Sequence, residues 1–289
     1  MRSLLFVPGD SERKLEKALQ ADADVLILDL EDSVAMSAKP KARAVTAAFL
    51  RDHAKADAMR LYVRVNDLGT GLTDDDLAAV MPGRPAGIML PKANSADDVT
   101  LLAARLRVHE AEHGIEDGAT RILPLITETA AGLLAAATHA NSNPRVSGLT
   151  WGAEDLSAAV GARSARDASG TYTPLFQHAR TMTLLAASAA GVAAVDTVYP
   201  DFRNEAGFRR QCEEAERDGF SAKMAIHPAQ VPIINEVFTP SAEALAQARR
   251  VVEAFAAAGD AGVVAIDGKM YDRPHLRLAE RLLARAKAG

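Results

Sequence analysis

The chain has one cysteine, Cys212, in 289 residues. That excludes an internal disulfide and a cysteine-built zinc site, and it suits a reducing cytoplasm. Cys212 itself reads as a structural or surface thiol on a helix. No stretch approaches the ~20 apolar residues that a membrane-spanning helix needs. The opening MRSLLFVPGDSER meets Pro8, Gly9 and Asp10 too soon for a signal peptide, so a cytoplasmic protein is expected, with no membrane as partner. The net charge of -5 comes without a basic block, which argues against nucleic acid. GxGxxG and GxxxxGKS/T loops are absent, as is a GxSxG nucleophile elbow. No Pro/Ser/Gly-rich linker divides the chain.

Nearly half of the residues are hydrophobic, enough for one large core. They recur as short apolar runs: SLLFVPG from Ser3, VLILDLE from Val25, RLYVRVN from Arg60, GIMLPK from Gly87, RILPLITE from Arg121, GLTWGAED from Gly148, VAAVDTVY from Val192 and AKMAIHP from Ala222. The runs are too short for helices and apolar almost throughout, as strands buried on both faces should be. Between them, stretches such as SERKLEKALQA and SADDVTLLAARLRVHEAEHG show helical spacing, with Ser or Asp near the start and Gly near the end. Alternating strands and helices imply a parallel sheet. Eight units imply a closed (β/α)8 barrel, with a doubly wound open sheet as the competitor. The barrel is assigned to residues 1–238. Residues 239–289 form a C-terminal helical extension or lid that a closed barrel does not need.

In such a barrel the chemistry sits where strands end and loops begin. Charged and polar side chains gather at those points: Asp29, Glu31 and Asp32, then Arg64 and Asn66, Lys92, Glu128, Glu154 and Asp155, and His227. Pointing so many charges at one rim is costly unless they do something together. Carboxylates dominate, without a histidine or cysteine cluster beside them. An all-oxygen set suits Mg2+ or Mn2+ better than zinc, and Glu128 with Asp155 is the candidate metal pair. The lesser alternative for the pair is a helix N-cap at Asp155 and a surface ion pair at Glu128. Arg64 offers a planar fork for a substrate carboxylate or oxyanion, and equally for a structural salt bridge. Lys92 is the one candidate for an imine mechanism, which metal carboxylates would make unnecessary.

The motifs RSLLFVPGDSERKLEKAL, LDLEDSVAMSAKPKAR, VRVND, IMLPKA, PLITETAAG, WGAEDLSAAVGA and AIHPAQV resemble, in order, those of the citrate lyase beta subunit. That is the CoA-ester lyase branch of the HpcH/HpaI aldolase superfamily. The resemblance runs from Arg2 to about Leu278. It implies a Mg2+-dependent TIM barrel with Glu128 and Asp155 as metal ligands. Arg64 and Glu128 would contact the substrate acid, and the backbone amides of the WGAEDLS turn would receive the keto acid's carboxylate. Arg13, Lys14 and Lys39 match basic positions near the thiol-ester cofactor. The tail GKMYDRPHL resembles a motif of malyl- and citramalyl-CoA lyases in which an aspartate, here Asp272, reaches a neighbouring subunit's active site. Asp272 can also be an ordinary N-cap before the last helix, with Pro274 just inside it.

The resemblance implies a carbon–carbon lyase, or Claisen-type synthase, on a 3-hydroxyacyl-CoA such as citryl-, malyl- or citramalyl-CoA. Its partners would be an acyl-CoA and a small 2-keto acid, with an acyl carrier protein as the other thiol carrier. Arg64 and Asp272 would be the catalytic residues, and a homotrimer or dimer of trimers the assembly. The alternatives are a malyl- or citramalyl-CoA thioesterase, and a 4-hydroxy-2-oxo acid aldolase that does not use CoA.

Overall fold

The computed structural model describes residues 1–53, 59–141 and 143–288. Eight parallel strands fall on the eight apolar runs: β1 Ser3–Pro8, β2 Val25–Asp29, β3 Arg60–Arg64, β4 Gly87–Leu90, β5 Arg121–Pro124, β6 Gly148–Thr150, β7 Ala193–Asp196 and β8 Ala222–Ala225. Their order is β5-β4-β3-β2-β1-β8-β7-β6. Isolated parallel bridges, Ile122 to Val146 and Leu125 to Thr150, join the two ends, and Ile126 N–H donates to Thr150 O at 3.0 Å. An open sheet would leave those edges apart. The fold is a TIM-like barrel, its last seam bridged rather than fully laddered.

Strand β2 explains why the runs are continuously apolar. All five of its residues are buried. Val25 and Ile27 point into the barrel, beside Leu4, Tyr62, Met89 and Met224. Leu26 and Leu28 point outward into the layer under the helices, beside Leu15, Leu50 and Leu102. Side chains alternate with period two, but both faces are dry. Each fully buried Leu or Ile is worth about 1.5–3 kcal/mol relative to exposure. Gly87 has a specific task in the interior: a Cβ there would meet the Tyr62 ring at 2.5 Å.

The helices cover the outside: α1 Glu12–Ala18, α2 Lys39–His53, α3 Thr73–Val80, α4 Ala96–Glu112, α5 Ala130–Ala135, α6 Ala153–Val160, α7 Pro174–Ala190, α8 Glu205–Asp218 and α9 Val231–Val237. Ser95, Thr129 and Asn204 cap α4, α5 and α8 by accepting backbone N–H bonds of the first turn. Among the described residues no helix is long and apolar enough to cross a membrane.

The tail adds α10 Ala242–Ala257, an antiparallel hairpin of β9 Val263–Ile266 and β10 Lys269–Asp272, and α11 Arg273–Ala288. It has its own small apolar cluster of Ala248, Val251, Phe255, Ile266 and Ala279. Arg285 ties it to the barrel by donating to Phe238 O at 3.2 Å. Val263, Met270 and Leu278 stay exposed at 51, 68 and 67%.

Candidate active site

A cavity of about 320 Å3 opens at the carboxyl ends of the strands, lined by Phe6, Asp29, Arg64, Glu128, Asp155 and Thr197 among others. Each comes from a different strand end or the turn after it, which is how a parallel barrel gathers distant sequence into one place.

Arg64 closes β3 and is nearly buried. Its Nε donates to Asp29 Oδ1 at 2.7 Å and its Nη2 to Asp29 Oδ2 at 2.6 Å. Nη1 lies 2.8 Å from Glu31 Oε2, and the Phe6 ring sits 4.9 Å from the guanidinium carbon. Asp29 also accepts the backbone N–H of Glu31 and of Ser33. Burial works to raise the Asp29 carboxyl, but the hydrogen bonds from Arg64 overcome it and keep Asp29 below the ordinary carboxylate range. The same pairing holds Arg64 charged against its own burial.

Glu128, in the turn after β5, and Asp155, beyond β6, line the same cavity. Asp155 lies in the first turn of α6, whose N-cap is Gly152. Glu128 is 3% exposed. Burial, and then the charge of Asp155, push its carboxyl up to about 8. Gly152 makes the approach possible, since a Cβ there would sit 2.8 Å from Glu128 Cγ. Lys92 supports the pair from the turn after β4. Its N–H donates to Glu128 Oε2 at 2.6 Å, and its ammonium lies 2.5 Å from Glu31 Oε1 and 3.3 Å from Asp155 Oδ1. Lys92 takes up the left-handed region to do so, at φ 51°, a conformation that costs a residue with a side chain roughly 1–2 kcal/mol and that clusters at functional sites. Burial lowers the Lys92 ammonium's pKa, but its bond to Glu31 overrides that and keeps it protonated, which is the wrong state for an imine-forming nucleophile.

Two carboxylates that repel each other, one buried and one partly exposed, with an arginine in the same cavity, suit a hard divalent cation. The donor set is all oxygen and fits Mg2+ or Mn2+.

The other strand-end residues divide. Asp32 and Glu154 line the cavity. Asn66 is bonded to Asp76 and Leu30 O, and His227 caps the turn at Pro228 while stacking on Phe202 at 4.8 Å. Arg13 and Lys14 are exposed on α1. Lys39, expected with them near the thiol-ester cofactor, is instead 7% exposed, and its ammonium donates to Leu30 O and Glu31 O, both at 2.7 Å. It pins the turn after β2, sharing the Leu30 carbonyl with Asn66 Nδ2 and the Glu31 carbonyl with the N–H of Val34. Asp272 is exposed, pairs with His275 Nδ1 at 2.5 Å, and is not among the residues lining this cavity in the single chain.

Sequence reasoning missed Asp196, which ends strand β7. It is fully buried, accepting from Lys223 Nζ at 2.7 Å and Trp151 Nε1 at 2.8 Å. Lys223 also donates to the carbonyl of Thr197, which lines the cavity. The signal was available, since Asp196 is a charge at a strand end like the others.

Residues 2–228 match the family model described as HpcH/HpaI aldolase/citrate lyase. The chain belongs to that family. A citrate lyase subunit beta-like protein of Mycobacterium tuberculosis is 40% identical over 282 residues, 98% of this chain and 94% of that protein. A (3S)-malyl-CoA thioesterase of Cereibacter sphaeroides is 38% identical over 291 residues, 99% and 95% of the two chains. The crystal structure of CitE from M. tuberculosis in complex with magnesium, acetoacetate and coenzyme A superimposes with a TM-score of 0.77 at 39% identity, covering 99% of this chain and 98% of that one.

Proposed function

We propose that this member of the family is a Mg2+-dependent carbon–carbon lyase, or Claisen-type synthase, acting on a 3-hydroxyacyl-CoA such as citryl-, malyl- or citramalyl-CoA. The observation that carries the reading is the meeting of Glu128, Asp155 and Arg64 in one cavity. The magnesium and coenzyme A held by the M. tuberculosis CitE structure support the cofactor and the thioester.

Glu128 and Asp155 would hold the ion. When bound, it supplies Lewis-acid stabilisation to the hydroxyl and carboxylate oxygens of the acid. Arg64, fixed by Asp29, adds a full positive charge beside the oxygen that becomes the keto group. Gly152 to Asp155, at the start of α6, line the cavity, and no side chain caps that helix end, which suits a carboxylate. In the cleavage direction the 3-hydroxyl loses its proton, the C2–C3 bond breaks, and its electron pair passes into the thioester as an enolate. The products are a 2-keto acid and, once C2 is protonated, an acyl-CoA. Asp272 of a neighbouring copy is assigned to that proton, in either direction.

A second reading is supported by the C. sphaeroides relative, a (3S)-malyl-CoA thioesterase. The same groups would hold the same substrate while water attacks the thioester carbon, releasing free CoA and the hydroxy acid. Incubation with Mg2+, acetyl- or propionyl-CoA and glyoxylate, pyruvate or oxaloacetate, followed by mass spectrometry, separates the two. A new hydroxyacyl-CoA supports the lyase or synthase, whereas free CoA without a keto acid from malyl-CoA supports the thioesterase. Activity confined to 4-hydroxy-2-oxo acids without CoA would replace both with the aldolase. Full turnover in excess EDTA would sink the metal-dependent reading altogether.

A further inference from the structure

The last turn of α4 reads His109-Glu110-Ala111-Glu112-His113. Two histidines four residues apart lie on one helix face. Here their rings are nearly parallel, 5° between planes, with centroids 6.3 Å apart. Glu112 falls on the same face, and its Oε2 lies 3.4 Å from His109 Nδ1. One ligand atom from each of the three lies within 4.8 Å of the others. His109 Nδ1 is buried yet makes no hydrogen bond, an arrangement that usually has a reason. Arg84 fixes the helix end by donating to the carbonyl of His113 at 2.9 Å.

We propose that His109, Glu112 and His113 form a binding site for a borderline-soft divalent transition-metal ion, with Zn2+ as the probe. Two imidazoles and one carboxylate, with water in the fourth place, match the ligand set and number such an ion takes. A tetrahedral ion with Zn–N near 2.0–2.1 Å sets its ligands about 3.3 Å apart, so binding requires the imidazoles of His109 and His113 as well as the exposed Glu112 side chain to rotate toward a common point. The chemistry differs from that of the Glu128–Asp155 pair: imidazole selects zinc-like ions, and carboxylates select magnesium-like ones.

The same five residues fit the HExxH pattern, in which the glutamate after the first histidine acts as a general base beside the metal. Glu110 is unavailable for that. It is 1% exposed, accepts both terminal nitrogens of Arg145 at 2.7 and 2.6 Å, and also accepts the N–H of Thr120 and Gly118. The site binds and does not hydrolyse. Helix α4 returns the chain from the carboxyl end of β4 to the amino end of β5. The ion therefore sits on the barrel face opposite the cavity, where side chains serve stability rather than catalysis.

Equilibrium dialysis of tag-free protein against Zn2+ tests this. Asp155→Asn removes one cavity carboxylate and leaves the helix untouched; this protein should still bind one zinc. Adding His113→Ala should weaken that binding at least tenfold, and adding Glu112→Gln instead should weaken it less. In otherwise wild-type protein, zinc at tenfold excess over its Kd should raise Tm by about 3 °C. His113→Ala should lose that rise while keeping its Mg2+-dependent activity, which shows that it is folded. Asp155→Asn protein that retains no zinc overturns the proposal. So does retained zinc that ignores both helix substitutions.

Discussion

Arg64 lays one edge of its guanidinium along the carboxylate of Asp29, Nε at 2.7 Å from one oxygen and Nη2 at 2.6 Å from the other. The third nitrogen is held by Glu31 at 2.8 Å. The fork is thus fixed before any substrate arrives, which is what electrostatic stabilisation without reorganisation requires.

Arg64→Lys should lower kcat about a hundredfold, on the order of 3 kcal/mol, because a point charge cannot hold two parallel bonds to Asp29 and still face the cavity. Thioester binding should change far less. Asp29→Asn should act through Arg64, lowering kcat while costing on the order of 2 kcal/mol of stability. Steady-state kinetics and urea melts read both. A near-normal kcat in Arg64→Lys would make the residue purely structural.

Much of this geometry was legible in the sequence because parallel barrels put function at fixed places. The eight apolar runs were strands since both of their faces are dry, and charges at their ends marked the rim. Asp29 was visible there, but its bond to Arg64 was not, because strand pairing sets which rim residues touch. The burial of Lys39 was not legible for a related reason: a lysine in a polar stretch reads as solvated, whereas here its ammonium bonds the carbonyls of Leu30 and Glu31 in the turn after β2. The β9–β10 hairpin carried a readable sign that went unused, Asp267-Gly268 at φ 50° and 76°, the left-handed pair of a tight hairpin turn.

Gly152 controls how closely Glu128 approaches the start of α6. Gly152→Ala would place a Cβ 2.8 Å from Glu128 Cγ and 2.9 Å from its Oε1. The carboxylate must give way, so Mg2+ affinity should fall at least tenfold with little loss of thermal stability. Calorimetric titration with Mg2+ checks this. Unchanged affinity would mean that Glu128 has room to move without leaving the ion.

His139 is fully buried, and burial lowers its pKa from 6.5 to about 4. In the unfolded chain it takes up a proton near 6.5, so between those values the unfolded state binds more protons. Stability present above pH 6.5 is therefore lost as pH falls toward 4, by up to about 3 kcal/mol. Urea melts from pH 7 to 4.5 should show that loss, and His139→Gln should flatten the curve. An equal slope in the variant would assign the loss to other groups.

Asp272 tests the role of the tail. In the single chain it is exposed, bonded to His275, and not among the residues lining the cavity. Nearby, Val263, Met270 and Leu278 present apolar surface to solvent, more easily understood if another copy covers it. The expected assembly is a homotrimer or a dimer of trimers, checked by light scattering on a sizing column. Within it Asp272 would complete a neighbour's cavity and exchange the proton at C2. Asp272→Asn and Arg64→Lys proteins should each be nearly inactive. Co-expressed, they should regain part of the activity, because some cavities then combine a wild-type Arg64 with a wild-type Asp272 from the adjoining chain. Detritiation or deuterium exchange at the acetyl-CoA methyl group should recover in the same mixtures, which ties the rescue to the proton step. If proven mixed oligomers stay as inactive as their parents, Asp272 acts within its own chain or serves only to cap α11.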